Sequence, residues 1–413
     1  MRIRTFIPRE DDFLESEDTS GSALHEGAIF LLTSLIIVFF GLVVLYSTSF
    51  VTTGTGFFAK QLIWTAIGAV GFSAAVILGY QRLCQWSWML LIVISVLLVL
   101  TLFSKPINGA RRWLKIGEFS IQSSEYAKVV LVLFLSYFLA NRIRILESVS
   151  WKNHLFRVFI PACLFCGIMI GLVLLGKDLG TTALLSMVFL ILLGVAGIKW
   201  YFIMVPILLG TPAVFFAVKF FSPVRWARIT SFTKPEMYQS TDGYQLWLSQ
   251  LALGSGEWFG LGFTESRLKL KYLPEAHTDF ILAIVGEELG YVILLAVIAA
   301  YLILMFSGIR ISRKARTQQG MLVAFGMITF ITLQAIINMG VICGAFPTKG
   351  MPAPMISYGG SNLVACMTAV GCVFSVALDT AYPNYSQDLF VRIRQFLRSR
   401  LLPKHTENPD ELR

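Results

Sequence analysis

The residues best suited to chemistry stand in one run, Leu273-Pro274-Glu275-Ala276-His277-Thr278-Asp279-Phe280-Ile281-Leu282-Ala283-Ile284-Val285-Gly286-Glu287-Glu288-Leu289-Gly290. Asp279 sits where polar chain gives way to a long apolar stretch. A carboxylate at such an edge can take a proton from a hydroxyl nucleophile. At 100° per residue, Ala283, Gly286 and Gly290 fall on the helical face of Asp279. That stripe of small residues would hold a lipid tail or admit a close-packed helix. Glu287 and Glu288 lie deeper, where an unpaired charge is costly, so each needs an ion-pair partner or a function.

Cations collect in other segments. Asn108-Gly109-Ala110-Arg111-Arg112-Trp113-Leu114-Lys115-Ile116-Gly117 joins a basic run to an aromatic, and Trp113 also suits an interfacial anchor. Lys177-Asp178-Leu179-Gly180-Thr181 adds one cation, and Arg267-Leu268-Lys269-Leu270-Lys271-Tyr272-Leu273 alternates basic and apolar residues as an extended segment would. The Gly- and Pro-rich run from Gly344 to Ser361 cannot be regular helix and reads as a re-entrant or rim loop bearing Lys349. Cations of this kind stabilise a pyrophosphate leaving group. One carboxylate, several cations and a lateral groove suit an anionic lipid-linked substrate. From the residues alone, a lipid-using transferase and a lipid transporter fit equally. No G-x-x-x-x-G-K-[ST] is present, which argues against a nucleotide-driven engine. The single C-x-x-C, Cys163 and Cys166, has no second pair and reads as buried small apolar residues.

The elements that must position these groups are membrane helices. Of 413 residues, 56% are hydrophobic and only 14% charged, against about 25% charged in soluble proteins. That excludes an ordinary soluble enzyme and a disordered chain. Ten apolar stretches approach the length of a bilayer crossing: 27–48, 57–79, 86–104, 124–140, 154–175, 180–197, 199–219, 279–305, 321–343 and 362–380. The expected fold is an all-α polytopic membrane protein of ten transmembrane helices, with a large extracytoplasmic loop, 220–278, between helices 7 and 8. The stretch 180–219 is broken only at Gly197, Ile198 and Lys199, so it must be a tight helical hairpin. Residues 1–26 form a polar N-terminal segment without a cleavable signal, 27–380 the membrane domain, and 381–413 a basic tail.

An even number of spans puts both termini on one side. More than half of the 34 Lys and Arg fall in segments on that side. The short loops 141–153 and 306–320 carry Arg142, Arg144, Lys152, Arg310, Arg313, Lys314 and Arg316, which makes that side cytoplasmic. The outer face then receives 105–123, 176–179, 220–278 and 344–361. The tail from Val391 to Leu401 alternates apolar and basic residues and suits anionic membrane lipids, not nucleic acid. Within the large loop, Tyr244, Trp247, Leu248 and Leu251 recur at helical spacing and Gly254 follows as a C-cap, giving a short interfacial helix. Glu125 and Lys128, three apart, pair on the fourth helix.

The runs Asn108 to Gly117, Lys177 to Thr181, Leu273 to Gly290 and Pro347 to Ser361, in this order along ten spans, resemble the signature segments of the SEDS family of bacterial shape, elongation, division and sporulation proteins. Pro-Thr-Lys-Gly at 347–350 and Gly-Glu-Glu-Leu-Gly at 286–290 look more like its division branch than its elongation branch. The resemblance implies a peptidoglycan glycosyltransferase of the bacterial inner membrane that polymerises lipid II at the division septum and releases undecaprenyl pyrophosphate. It implies that Asp279 is the catalytic base, acting on the outer face, and that Arg111, Arg112, Trp113, Lys349, Ser357, His277, Glu275 and Glu288 are candidate substrate contacts. Implied partners are lipid II and undecaprenyl-linked glycan, a class B penicillin-binding protein transpeptidase and other divisome proteins. No cofactor or metal site is evident, although a divalent cation, Mg or Mn, would suit the leaving group. The chain departs from the family pattern at Gln122-Ser123-Ser124-Glu125, Lys177-Asp178, Gly254-Ser255-Gly256 and Ser361-Asn362. A lipid II flippase and a noncatalytic division scaffold are the competing readings.

Overall fold

The computed structural model describes residues 17–386, apart from 55, 107–108, 118, 148–149, 242, 270–272, 349 and 384. Lys349, Lys271 and the basic tail therefore lie outside the described residues. Each of the ten apolar stretches is helical. The first three helices are α1 (Glu17–Thr53), α2 (Gly56–Gln85) and α3 (Ser87–Leu102). After α4 (Ser123–Ala140) come the short α5 (Ile143–Leu146) and α6 (Trp151–Asn153), and α6 runs through a π-helical turn, His154–Phe159, into α7 (Ile160–Leu175). A tight turn at 196–199 separates α8 (Leu179–Val195) from α9 (Trp200–Phe221). The segment 222–280 carries α10 (Pro223–Ser231) and α11 (Tyr244–Gly256), and α12 (Ile281–Lys314), α13 (Gln318–Ile342) and α14 (Gly360–Ala381) close the bundle.

Among the described residues, 8 helical segments are long and apolar enough to cross a bilayer, while α3 and α8 are shorter apolar helices. The chain is a multi-pass membrane protein. Helices suit that solvent because they satisfy their own backbone groups where no water can. The core lies where α4, α13 and α14 meet. Some 83% of the most apolar window of α4 is buried, against 6% in α9, which carries Pro206 and Pro212 and turns Leu208, Leu209 and Phe220 outward.

Several expectations need correction. The fold is mostly but not wholly helical. Trp113–Ile116 (β1) pairs antiparallel with Phe119–Gln122 (β2), Trp113 opposite Gln122, in the segment between α3 and α4. Helix α12 runs on to Lys314 and α13 begins at Gln318, so most of the expected loop 306–320 is helix. Helix α11 ends at Gly256, with the positive φ at Glu257, so Gly254 is not its cap. The buried face of α11 is Leu246, Leu248, Ser249, Ala252, Leu253 and Gly256, while Leu251 is exposed. This helix packs on α12 instead of only resting at the interface.

The small-residue stripe of α12 serves that packing, not a lipid tail. A Cβ on Gly256 would lie 1.9 Å from the Gly286 carbonyl oxygen, and one on Gly286 would meet Leu253 at 2.5 Å. At Gly290 the backbone leaves the helix (φ 75°, ψ −178°). The chain at 257–262 fills the break. Leu261 N donates to Glu287 O at 2.9 Å, Gly262 N to Glu288 O at 3.0 Å, and Tyr291 N to Glu257 O at 2.9 Å. These pairs satisfy backbone groups that a broken helix would strand in an apolar setting.

The described part of the segment from Arg267 is turned, not extended, and Lys269 is buried instead of facing solvent. Its Nζ lies 2.5 Å from Glu288 Oε1, and Ser47 of α1 donates to Glu288 Oε2 at 2.6 Å. Glu287 accepts from Ser266 Oγ at 2.5 Å and from Arg267 N at 3.0 Å. The expected pair of Lys128 with Glu125 forms at 2.6 Å, and both side chains are buried.

Candidate functional site

Asp279 lies one residue before the N-cap of α12, partly shielded from water. Burial raises its carboxyl from the ordinary 3.8 to about 7, and the neighbouring charge of Glu275 adds to the rise. Arg112 and then Arg228 pull it back down, and Asp178 pushes it slightly up. Among the described residues, these are the charged groups that the fold brings around the carboxylate. A group poised near neutrality can exchange a proton in either direction at the pH of the cell.

Each neighbour has a defined support. Arg112, beside the hairpin, places Nη1 3.6 Å from Asp178 Oδ1 and donates through Nη2 to Lys177 O at 3.5 Å. Asp178 caps α8 by accepting from Thr181 N at 3.3 Å, and it also accepts from Gln122 Nε2 at 3.1 Å and Ser124 Oγ at 3.0 Å. Arg228 comes from α10, the nine-residue helix that follows α9. Gly350 stands between the charges. A Cβ there would lie 3.2 Å from Asp279 Oδ2 and 3.9 Å from Arg112 Nη1.

Other expected site residues divide into two groups. Glu275, exposed and at φ 57°, accepts from Thr278 Oγ1 at 2.8 Å and acts on Asp279 through its charge. His277 is half-buried, with its ring stacked on Phe57 at 4.6 Å between centroids. Burial lowers its pKa and Glu275 partly opposes this, so the imidazole is neutral at pH 7. Trp113 is half-buried in β1. Arg111, by contrast, turns to the end of α3, where Nη1 donates to Leu102 O at 2.8 Å. Ser357 is buried, and its hydroxyl closes its own loop by accepting from Ala353 N at 2.8 Å. Glu288 is committed to Lys269 and Ser47. The sequence reading missed Arg228 and the coupling of Arg112 to Asp178.

A cavity of about 910 Å³ opens beside this cluster. Its body is apolar and lies between α7, α8 and α9, lined by residues such as Ile170, Leu190, Ile207 and Val214. Arg112, Lys177, Arg228 and Gly350 line its charged end. The groove thus lies along α7, α8 and α9, and no residue of the α12 stripe lines it. Among the described residues, no group of three or more His, Cys, Asp or Glu is arranged to hold a metal ion.

A family model described as "Cell cycle protein", FTSW_RODA_SPOVE, matches residues 27–382. A "Probable peptidoglycan glycosyltransferase FtsW" of Trichlorobacter lovleyi is 35% identical over 361 residues, covering 84% of this chain and 92% of the relative. "Stage V sporulation protein E" of Bacillus subtilis is 33% identical over 363 residues, covering 86% of this chain and 97% of the relative. Among solved structures, a chain of a peptidoglycan synthase complex that coordinates polymerization and crosslinking superposes with a TM-score of 0.71 at 24% identity, over 86% of this chain and 98% of that one. The rod shape determining protein RodA of Thermus thermophilus gives a TM-score of 0.63 at 23% identity, over 85% and 96%. These two likenesses bear on the fold.

Proposed function

This chain belongs to the FtsW/RodA/SpoVE family of cell-cycle proteins, and we propose that it is a peptidoglycan glycosyltransferase that polymerises lipid II with Asp279 as general base. The observation that carries the reading is the joining of an apolar cavity to a charged end beside a carboxylate raised to about 7. The cavity body suits an isoprenoid tail, and Arg112, Lys177 and Arg228 suit the pyrophosphate at its head. Asp279 takes the proton of the acceptor sugar hydroxyl, whose oxygen attacks the donor anomeric carbon from the face opposite the phosphate. The bond from that carbon to the phosphate oxygen breaks with inversion. Undecaprenyl pyrophosphate leaves with the electron pair, its charge offset by the arginines. Lys349, which follows Thr348 at the rim, is a further candidate for that contact.

In this reading α3 and α8 also cross the bilayer, for ten spans in all, with 220–278 outside between helices 7 and 8 and both termini in the cytoplasm. The site then faces the outside at the septum. A class B penicillin-binding protein crosslinks the product, and other divisome proteins join them. Glu287 and Glu288, the residues that most favoured a flippase, are both engaged in internal contacts. The test uses the full chain in vesicles with lipid II, with and without the transpeptidase. Wild type makes glycan, and Asp279→Asn reaches the membrane at normal level but makes none. Lipid movement without product would favour the flippase. Product from Asp279→Asn would remove the general base.

A further inference from the structure

Two α13 amides, one helical turn apart, face the site loop. Gln334 Oε1 accepts from Lys128 Nζ at 2.6 Å, and Lys128 is held by Glu125. This orients the Gln334 amide so that Nε2 donates to Pro352 O at 2.9 Å. Asn338 Nδ2 donates twice, to Asp279 O and to Met351 O, each at 2.8 Å. Two carbonyl oxygens at that distance require the nitrogen, not the oxygen, on their side, so the flip of the amide is settled chemically. Asn338 Oδ1 is left buried and without a hydrogen-bond partner among the described residues. Interiors seldom leave such an acceptor unsatisfied.

The geometry has a direct consequence. Asn338 ties the backbone of Asp279 to the backbone of Met351, and Gly350 precedes Met351. Asn338 is thus one of the ties that set the gap between the Asp279 carboxylate and Arg112, in which Gly350 stands; Tyr358 N also donates to His277 O at 2.9 Å, and Gln334 holds Pro352. We infer that Asn338 is a positioning residue, which holds the Asp279 peptide and the 350–352 strand of loop at a fixed separation so that the carboxylate meets the acceptor hydroxyl. This rests on the role proposed above for Asp279. Asn338 touches neither substrate nor leaving group in this role, so its loss acts on turnover more than on binding.

The test compares wild type, Asp279→Asn, Asn338→Leu and Asn338→Ser as full-length chains in lipid vesicles with lipid II and the transpeptidase. Leu nearly matches the shape of Asn without the donors, and Ser keeps one shorter donor. The expected result is a fall in kcat of about tenfold or more for Asn338→Leu with KM within about threefold. Asn338→Ser recovers part of the loss. Amide exchange in peptides covering 275–280 and 350–358 becomes faster in Asn338→Leu, while exchange in α1 does not change. Wild-type kcat in Asn338→Leu, a loss lying wholly in KM, or unchanged exchange at 350–358 overturns the inference. Failure of both Asn338 variants to fold makes Asn338 a stability residue and also overturns it. Product from Asp279→Asn, or none from wild type, would instead sink the proposed function, so the two failures are distinguishable.

Discussion

At the scale of the residue, the site turns on a carboxylate whose ionisation is displaced. A general base works only when deprotonated. The rate of lipid II polymerisation should therefore rise about tenfold per pH unit below about 7 and level off above it. Arg112 and Arg228 both lower the Asp279 pKa, so Arg228→Gln should move the acidic limb to higher pH. A shift of roughly half a unit would cost about threefold in rate at pH 6. A limb that stays in place while the plateau falls would give Arg228 a role in binding only. The same displacement predicts a stability effect. Asp279 binds its proton more tightly folded than unfolded, so it weighs against folding most above pH 7 and not at all below its ordinary 3.8. Asp279→Asn should accordingly melt higher than wild type at pH 8, with the difference shrinking as the pH falls to 4. Asp279 itself was legible, because a lone acid at the start of an apolar helix is unusual. The choice between Arg111 and Arg112 was not, because adjacent residues differ only in where the chain turns them. Arg228 was hidden in a long loop, although the run Val224-Arg225-Trp226-Ala227-Arg228-Ile229 already has the alternation of a short amphipathic helix.

At the scale of the element, close backbone approach decides how the segment before α12 sits. Gly256 and Gly290 lie against backbone atoms that cannot move aside. A Cβ on Gly290 would meet Trp258 O at 2.4 Å, and its φ of 75° is itself unfavourable for any other residue. Gly290→Val should cost about 1–3 kcal/mol from the backbone alone and lower the melting temperature in detergent, as should Gly256→Ala. Gly254→Ala is the control, since nothing lies within 4 Å of its Cβ position. Equal melting of all three variants would mean that α11 is not docked on α12. The sequence made the helices plain, because hydropathy is a property of each stretch alone. It did not show the break at Gly290, since Gly286-Glu287-Glu288-Leu289-Gly290 is compatible with straight helix, and only the pairing with 257–262 explains the departure. The hairpin of β1 and β2 was likewise unreadable. Two strands of four residues have too little pattern to stand out beside a basic run.

At the scale of the whole molecule, the question is how the 59-residue segment 220–278 delivers Asp279 to one place. Two anchors bracket the approach: the backbone pairing at Gly290, and the buried junction of Ser47, Lys269 and Glu288, which joins α1, the segment 220–278 and α12. Periodicity does not foretell such a junction, because its members are separated by up to 241 positions. Removing one partner of a buried pair strands the other charge and costs about 3–5 kcal/mol, whereas replacing both by apolar residues is often neutral. Lys269→Met should therefore destabilise the protein sharply and lose polymerisation with it, and Glu288→Leu should do the same. The double variant Lys269→Met/Glu288→Leu should regain most of the melting temperature. Its activity then decides what Glu288 does. If the junction acts as an anchor, lipid II polymerisation returns together with stability. If Glu288 is instead a substrate contact, as the sequence reading had it, the double variant is stable and inactive, and the anchoring account of this junction fails.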